Sequence, residues 1–359
     1  MKKYYLLSAA FLALFFIACE KDNPIEKEPE ERIENALLIL NQGSWEGNNS
    51  TVALYDLEKK SIDKDFFKTT NSRGLGDTGN DMIRYGEKIY VVVNASNTVE
   101  VISAKDGKSL KQINFKNDAG VAKQPRFAVG HGGKVYVTSF DNTVSRIDTT
   151  SLAIDGSVVV GRNPEGICAV GNKLYVANSG GLDYATGNYD STVSVIDVAT
   201  FKEVDKIEVG KNPFLVFPDS QGDIYVSVRA IWSGWDLIAP GALKRIKSGT
   251  DEVGTIEGIE AGEFTIVNDK AYIVIDDYTQ SKVTVYDCLN EKVVTESFIA
   301  DGTEMSTPFS VSVDPASGDV FLTETDYTTP GNVYSFGKDG KLKYKIEAAG
   351  ISPYKVIKL

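Results

Sequence analysis

Short apolar runs of four to six residues recur along the chain from residue 36 to its end, separated by Gly, Asn and Asp. The pattern is clearest where one run opens at residues 163–166 and three more follow at 173–178, 192–197 and 206–210. The runs are rich in Val, Ile and Tyr and are bounded by turn residues. This pattern predicts four consecutive antiparallel strands, here named A, B, C and D.

The four-strand unit recurs seven times. Its third strand has a recognisable signature, which reads TVALYD at 51–56, TVEVIS at 98–103, TVSRID at 143–148, TVSVID at 192–197, ALKRIK at 242–247, KVTVYD at 282–287 and NVYSFG at 332–337. The openings of strand A align 39 to 49 residues apart, at Asp81, Arg126, Glu165, Phe214, Glu263, Phe309 and Tyr354. A four-strand unit of this period is typical of a propeller blade.

The two ends of the chain carry complementary parts of one blade. Residues 351–359 contain a strand A with no strand B after it, whereas residues 37–40 form a strand B with no strand A before it. We therefore predict an all-β fold, a seven-bladed β-propeller with four antiparallel strands per blade. The C-terminal strand (351–359) would join the N-terminal blade and close the ring.

The N-terminus has the features of a lipoprotein signal. A basic start, an apolar run from Leu6 to Ile17 that is too short to span a bilayer, and a small residue before Cys19 indicate cleavage and lipidation at that cysteine. An ordinary signal peptide with an incidental cysteine is the alternative. We predict a signal peptide at 1–18, a lipidated Cys19 with a flexible acidic tether at 19–35, and the propeller at 36–359.

The acidic residues after Cys19 resemble the tags of lipoproteins carried to the cell surface in some Gram-negative bacteria. We therefore expect an outer-membrane lipoprotein that is exposed at the cell surface and held to the membrane through its lipid anchor. The chain has 50 acidic and 38 basic residues and a net charge of -12, which opposes nucleic-acid binding. Cys168 and Cys288 lie in apolar strand positions, which favours two buried free thiols over a disulfide.

Catalytic and metal-binding patterns are weak. The single histidine, His131, falls in an A–B hairpin, which excludes it from the end of the ring where the strand A openings gather. Asp81, Glu165 and Glu263 could pair there as acid and base, or could simply line a hydrated channel. Acidic loop residues suit calcium, but they lack the spacing of a calcium-binding loop motif. We expect no catalytic residues, no metal site and no cofactor.

One end of the predicted ring is suited to ligand binding. In a four-strand meander the B–C loops and the D–A connections lie at the same end, and here the B–C loops vary in length, which is typical of a binding face. All three tryptophans fall in B–C loops. Aromatic rings with interspersed polar groups suit a flat, amphipathic ligand; the alternative is that the rings pack loop against loop. The predicted ligand-binding residues are Trp45, Asp81, Arg126, Phe140, Glu165, Tyr184, Tyr189, Phe214, Trp232, Trp235, Tyr278, Phe309, Tyr327 and Tyr354.

The runs at 175–178, 192–197 and 207–213 resemble those of the YVTN or YncE-like seven-bladed propellers. This resemblance covers the whole domain and implies the fold, but it implies little about function. Members of that group include surface-layer-like proteins. Relatives in the wider propeller group include lactonases and quinoprotein dehydrogenases, whose catalytic or cofactor-binding residues are not identifiable in this sequence.

A narrower resemblance rests on the lipoprotein signal, the acidic tag and the first blade, Leu40-Asn41-Gln42-Gly43-Ser44-Trp45 followed by TVALYD. The combination is similar to propeller lipoproteins of the BtuG type, which capture cobalamin and pass it to an outer-membrane TonB-dependent transporter. It implies a corrinoid on the aromatic face, with contacts from Trp45, Trp232, Trp235, Tyr184 and Tyr189. We expect a monomeric domain. Glycan capture, protein docking and a lactonase-type activity are the alternatives.

Overall fold

Seven four-stranded antiparallel sheets form a ring in the part of the chain that the computed structural model describes, residues 32–276 and 281–359. Each sheet is a blade whose strand A lies innermost. Blade 1 is assembled from both ends of the chain: β1 (Ala36–Asn41), β2 (Thr51–Asp56), β3 (Ser61–Asp63) and the last strand, β30 (Pro353–Lys358). The predicted seven-bladed propeller is confirmed.

Blades 2, 3 and 4 are uninterrupted meanders. Their strands are β4 (Gly79–Tyr85), β5 (Lys88–Val93), β6 (Thr98–Ser103) and β7 (Ser109–Asn114); β8 (Pro125–His131), β9 (Lys134–Ser139), β10 (Thr143–Asp148) and β11 (Ala153–Val159); and β12 (Pro164–Val170), β13 (Lys173–Asn178), β14 (Thr192–Asp197) and β15 (Lys202–Glu208). The inner strand of each meander is the first of its four. His131 ends β8, so it lies in the A–B hairpin where the sequence placed it.

Blades 5, 6 and 7 repeat the pattern, and blade 5 carries an additional hairpin. Their strands are β16 (Pro213–Pro218), β17 (Ile224–Val228), the hairpin β18 (Ile231–Ser233) and β19 (Asp236–Ala239), β20 (Ala242–Ile246) and β21 (Val253–Ile256); β22 (Phe264–Val267), β23 (Lys270–Asp276), β24 (Ser281–Asp287) and β25 (Lys292–Thr295); and β26 (Pro308–Val313), β27 (Val320–Glu324), β28 (Pro330–Phe336) and β29 (Leu342–Ile351).

The C-terminal strand closes the ring as predicted. β30 pairs antiparallel with β1, with Leu38 opposite Ile357 and Leu40 opposite Lys355. Every residue of β1 is buried, since blades pack on both of its faces. The N-terminal and C-terminal segments therefore share one sheet, and no blade edge is left between them.

The core lies between neighbouring blades. Strands B and C are buried along most of their length because each blade is covered on both sides, as in the cluster that joins Tyr90 and Val92 of blade 2 to Val135 and Val137 of blade 3. The outer D strands alternate polar and apolar residues and are largely exposed, as β15 shows. This packing fixes the inner strands, which line the channel.

The third-strand signature has a structural cause in the turn that follows it. The final Asp of the motif accepts hydrogen bonds from backbone N–H groups two or three residues later, at Asp56, Asp148, Asp197 and Asp287. In blade 3 the Lys134 ammonium lies 2.8 Å from the Asp148 carboxylate, and this interaction together with the turn N–H groups holds the pKa of Asp148 well below its usual range. The motif thus encodes the C–D turn as well as the strand.

In the described part of the chain, two short helices interrupt the all-β pattern, and neither was predicted. Helix α1 (Phe66–Asn71) follows blade 1, begins at the capping residue Asp65 and buries Phe67. A 3₁₀ helix (Gly181–Thr186) lies in the B–C loop of blade 4. In residues 32–276 and 281–359, no helix is both long and apolar enough to cross a bilayer.

Candidate functional site

The inner end of each blade is shaped by an irregularity in its A–B pairing. In six blades of the described ring, the register shifts directly after the first residue of strand A, as between Pro125 and Ala128 or between Pro164 and Ile167. Such a β-bulge bends the strand and changes the direction in which the neighbouring side chains point. The residues involved gather at the mouth of the channel, on the end that carries the B–C loops, which we name the loop face.

A recurring backbone hydrogen bond holds this mouth together. In six blades of the described ring, the residue after strand B donates its N–H to the carbonyl of the residue before strand A, at 2.8–3.3 Å, as Phe140 does to Gln124. The residue before strand A has a left-handed backbone at Thr78, Gln124, Asn163, Asn212 and Ser352, with φ of 43–64°. Because non-glycine residues adopt this conformation only at a cost, the mouth is a constrained structure.

Seven residues, one per blade, form a ring at this level that we name the belt: Asn80, Arg126, Glu165, Phe214, Glu263, Phe309 and Tyr354. Six of them are the strand A openings that the alignment of the seven repeats selected. In blade 2 the equivalent residue is Asn80, since Gly79 corresponds to Pro125 in the register. Asp81, which the alignment selected, lies one residue further into the channel.

One side of the belt is a polar network. The Nε of Arg126 lies 2.7 Å from Oε2 of Glu165, and the Arg126 guanidinium also donates to the side-chain oxygen of Asn80. The Asn80 amide in turn donates to the Arg126 carbonyl at 2.6 Å. The side chains of Arg126 and Glu165 are only 15% and 5% exposed, so this is a buried ion pair. The Phe140 ring lies 4.6 Å from the same guanidinium.

The other side of the belt is aromatic. Tyr354 donates its hydroxyl proton to Glu263 at 3.0 Å, and Arg229 lies 3.7 Å from the other oxygen of that carboxylate. The Arg229 guanidinium also covers the ring of Phe214. The Phe309 ring centroid lies 5.5 Å from that of Tyr354. Burial raises the pKa of the Glu263 carboxyl, although the Arg229 charge opposes this shift.

Arg229 was missed by the sequence analysis. It directly follows strand B of blade 5, a position that the repeat assigns to the B–C loop and not to the channel mouth. Its side chain nevertheless links the belt residues of two blades. A cleft of about 320 Å³ lies beside it, between blades 5, 6 and 7, and is also lined by Glu263, Phe309 and Tyr327.

The predicted aromatic residues of the B–C loops are mostly exposed. Five have 47–94% of their surface accessible: Trp45, Tyr184, Trp232, Trp235 and Tyr327. Phe140 and Tyr189 are half-buried. Tyr278 lies outside the described residues, as does Cys19. The predicted residues thus divide into an exposed loop set and a set at the channel mouth, where Asp81, Glu165, Phe214 and Tyr354 are buried.

The most exposed of these rings lies at the tip of the β18–β19 hairpin. Trp235 is 94% exposed and follows Gly234, whose φ of 62° the turn requires. Trp232 lies opposite Leu237 on the hairpin, and both are about half exposed. Leu182 and Tyr184, in the B–C loop of neighbouring blade 4, are exposed as well. Blades 4 and 5 therefore present most of the apolar surface of the loop face.

The titratable groups of the channel mouth are mainly engaged with one another. Glu165 is paired with Arg126, and Glu263 with Arg229 and Tyr354. Within the described residues, no group of three or more His, Cys, Asp or Glu side chains is arranged to hold a metal ion. Cys168 and Cys288 are buried free thiols, as predicted, but only Cys168 lies in a strand, since Cys288 is in the turn after β24. Burial raises the pKa of Cys288 to about 12.

Solved structures with similar folds are diverse. A quinoprotein alcohol dehydrogenase-like protein from Bacteroides thetaiotaomicron matches with a TM-score of 0.66 and 16% identity, over 90% of this chain and 78% of that chain. The hydrazine synthase of Kuenenia stuttgartiensis matches with a TM-score of 0.56 and 16% identity, over 71% and 74%. A computationally designed protein, Ika8, matches with a TM-score of 0.57 and 12% identity, over 90% of each chain. At these identities the likeness shows the fold alone.

No curated protein sequence matches the chain significantly. A family model does match it, over residues 35–233, which is more than half of its length. The matched range runs from the first strand of blade 1 into the β18–β19 hairpin of blade 5. The chain belongs to the DUF5074 family, described as a domain of unknown function.

Proposed function

We propose that the protein is a non-catalytic binding lipoprotein that captures a small, flat ligand on its loop face, with a corrinoid such as cobalamin as the best candidate. The observation that carries this proposal is the exposure of aromatic side chains at one end of the ring, with Trp235 at 94%. Exposed apolar surface of this kind marks interaction sites. Aromatic stacking would contribute about 0.5–1.5 kcal/mol per ring beyond area burial.

The shape of the loop face supports a broad ligand. The cleft beside Arg229 has a volume of only about 320 Å³, which is too small for a whole corrin macrocycle. The exposed rings belong to blades 1, 4, 5 and 7, so they surround the channel mouth at the height of the loops. A macrocycle would therefore lie across the loops, with the polar side chains of the face hydrogen-bonding the amides at its edge.

The cellular role in this proposal follows from the N-terminal sequence. Lipidation at Cys19 and a tether at 19–35 would hold the propeller at the outer surface of the outer membrane. A TonB-dependent transporter would be the partner that receives the ligand. The exposed hairpin of blade 5 is a suitable element for that contact, because it extends beyond the blade and carries apolar residues.

Co-migration with cyanocobalamin tests the proposal. Protein lacking residues 1–19 is mixed with the red ligand at tens of micromolar and passed through a gel-filtration column. We expect the colour to elute with the protein. The Trp232→Ala/Trp235→Ala variant should bind at least tenfold more weakly, because two stacked and desolvated rings are lost.

The matched control changes exposed apolar residues away from the loop face. Leu110 and Val204 lie near the C–D turns of blades 2 and 4, and both are about half exposed. A Leu110→Ala/Val204→Ala variant should keep full binding. A colourless protein peak for the unmodified chain would eliminate corrinoids as the ligand.

Glycan capture is the second candidate, because exposed tryptophans stack on sugar rings as readily as on macrocycles. Affinity electrophoresis in gels containing soluble polysaccharides tests it with the same variants. Retardation that the Trp232→Ala/Trp235→Ala variant abolishes, in a protein that does not retain cyanocobalamin, would replace the corrinoid by a glycan.

A further inference from the structure

The central channel, whose mouth lies at the loop face, contains a cavity between the inner strands of the blades. It has a volume of about 360 Å³ and is lined by the inner strands of all seven blades. It extends from Tyr354 in the belt and Asp81, one residue beyond the belt, to Tyr85 and Pro218, which end strands β4 and β16 near the A–B hairpins. Its volume lies in the range of small-molecule sites in proteins.

Most of the channel wall is apolar. Phe127, Ile167, Leu215, Phe264 and Val311 contribute side chains from five different blades. Such a wall favours a largely apolar ligand, since burial of hydrocarbon surface is favourable. Polar and charged side chains would then decide orientation and specificity; those at the cavity are Asp81, Arg84, Glu263, Ser310 and Lys355.

Asp81 is the polar group with an unused acceptor. The residue is 3% exposed. Its Oδ2 accepts a hydrogen bond from the Ala128 N–H at 3.0 Å, whereas Oδ1 is buried and accepts no hydrogen bond from the described residues. The Lys355 ammonium lies 3.9 Å from Oδ1, which is beyond hydrogen-bond distance. A buried carboxylate oxygen without a donor is costly, so a donor is expected to occupy the space beside it.

We propose that the central channel is a second binding site, for a small molecule with an apolar body and one hydroxyl or amino group that donates to Oδ1 of Asp81. The apolar body would lie between the inner strands of the blades, toward the A–B hairpins. Lys355, on the inner strand of blade 1, would face the polar end of the molecule and favour an adjacent acceptor. This site is independent of the loop-face proposal, because none of the five exposed aromatic residues described above lines the channel.

Three probes with the same ring test the chemistry: benzyl alcohol, which has a donor; acetophenone, which has only an acceptor; and toluene, which has neither. Binding is measured by isothermal titration calorimetry. We expect the unmodified protein to bind benzyl alcohol at least tenfold more tightly than the other two. An Asp81→Asn variant keeps an acceptor for the Ala128 N–H and presents an amide donor in place of Oδ1, so it should prefer acetophenone.

A blocking variant tests the location. Ala169 lines the channel near the end of β12, and Ala169→Phe would fill the lumen with a ring and abolish binding of all three probes. Val129→Phe, on blade 3, is the alternative if that variant does not fold. Because all three tryptophans lie in the loops, tryptophan fluorescence should not change when the probes bind.

Three results would overturn the proposal: no saturable binding of benzyl alcohol at millimolar concentration, binding that survives the blocking variant, or an order of probes that Asp81→Asn leaves unchanged. A fluorescence change that disappears in Trp232→Ala/Trp235→Ala would move the probe site to the loop face. Failure of cyanocobalamin to bind would leave the channel proposal intact.

Discussion

The buried pair of Arg126 and Glu165 is the residue-scale interaction on which the polar side of the belt depends. Removing one partner of a buried pair leaves the other as an uncompensated charge, which typically costs about 3–5 kcal/mol. We therefore expect Arg126→Met to lower the free energy of unfolding by roughly that amount, as measured by urea denaturation at pH 7. The matched control is the double variant Arg126→Met/Glu165→Gln, which removes both charges and should recover most of the loss. A single variant as stable as the unmodified protein would contradict a buried pair.

Asp81 gives a pH-dependent prediction. Burial raises the pKa of its carboxyl above the ordinary value, although the Lys355 charge opposes the shift. Such a carboxyl binds its proton more tightly in the folded state, so folding stability falls as the pH rises from about 4 through the folded-state pKa. The Asp81→Asn variant carries no charge at this position. We expect its free energy of unfolding to exceed that of the unmodified protein by a margin that grows from near zero at pH 4 to about 1 kcal/mol at pH 8.

The measurement is chemical denaturation of both proteins at pH 4, 6 and 8, compared as differences so that other titrating groups cancel. Glu58→Gln is the matched control, because it replaces a carboxyl by an amide at an exposed position. An Asp81→Asn advantage that shrinks as the pH rises would mean that the carboxylate is stabilised in the folded state.

Single residues also show where sequence reasoning stops. The repeat placed Arg126, Glu165 and Tyr354 at the channel mouth because each follows a recognisable strand opening. It selected Asp81 over Asn80, since one inserted bulge residue shifts the register without leaving a compositional signal. It missed Arg229, whose long side chain reaches the channel from a position outside the inner strand. Side-chain reach and bulge position depend on packing, which a single sequence does not display.

The β18–β19 hairpin is the element that most distinguishes blade 5 from the other blades. Its residues from Trp232 to Ile238 are exposed, so little of the core depends on it. Residues 230–240 can be replaced by two turn residues, which together with residues 229 and 241 would form a four-residue B–C loop like the one at 94–97. This change should leave the melting temperature within about 2 °C of that of the unmodified protein. Cyanocobalamin binding should fall at least tenfold. The control is Trp235→Ser, which keeps the hairpin and loses only the ring at its tip.

Strand B was predictable because it is a largely apolar run closed by turn residues, and strand C because its signature recurs in each blade. The Asp that ends the TVSRID-type signature accepts hydrogen bonds from the turn that follows it. The additional elements were not predictable in this way. Helix α1 has only six residues and a single fully buried side chain, Phe67, so it has no detectable periodicity. Strand β18 has three residues and strand β19 has four, and their exposed residues have the sequence pattern of a loop.

At the scale of the whole molecule, the sequence predicted the ring because one incomplete blade at each end could be completed only by the other. It also placed the tryptophans at one end of that ring, since the order of strands in a meander fixes which loops share an end. It could not predict which rings are exposed, because exposure depends on how neighbouring loops pack. Tyr184 and Tyr189 lie in the same loop, yet the first is exposed and the second half-buried.

Closure by β30 joins the two ends of the chain in one blade, and we expect it to make the seven blades unfold as one cooperative unit. Deleting residues 352–359 removes the inner strand of blade 1, including the buried Tyr354 and Val356, and exposes the edge of β1. We expect a loss on the order of 5 kcal/mol or more, because an aromatic core truncation alone costs about 3–5 kcal/mol. Urea denaturation should show a broad transition at low urea in place of a single sharp one.

A synthetic peptide of residues 351–359 should restore part of the stability, whereas a peptide with Tyr354→Ser and Val356→Ser should not. A truncated protein that unfolds at the original urea concentration would mean that the ring is held by the remaining six blades, and that the shared blade contributes shape without cooperativity.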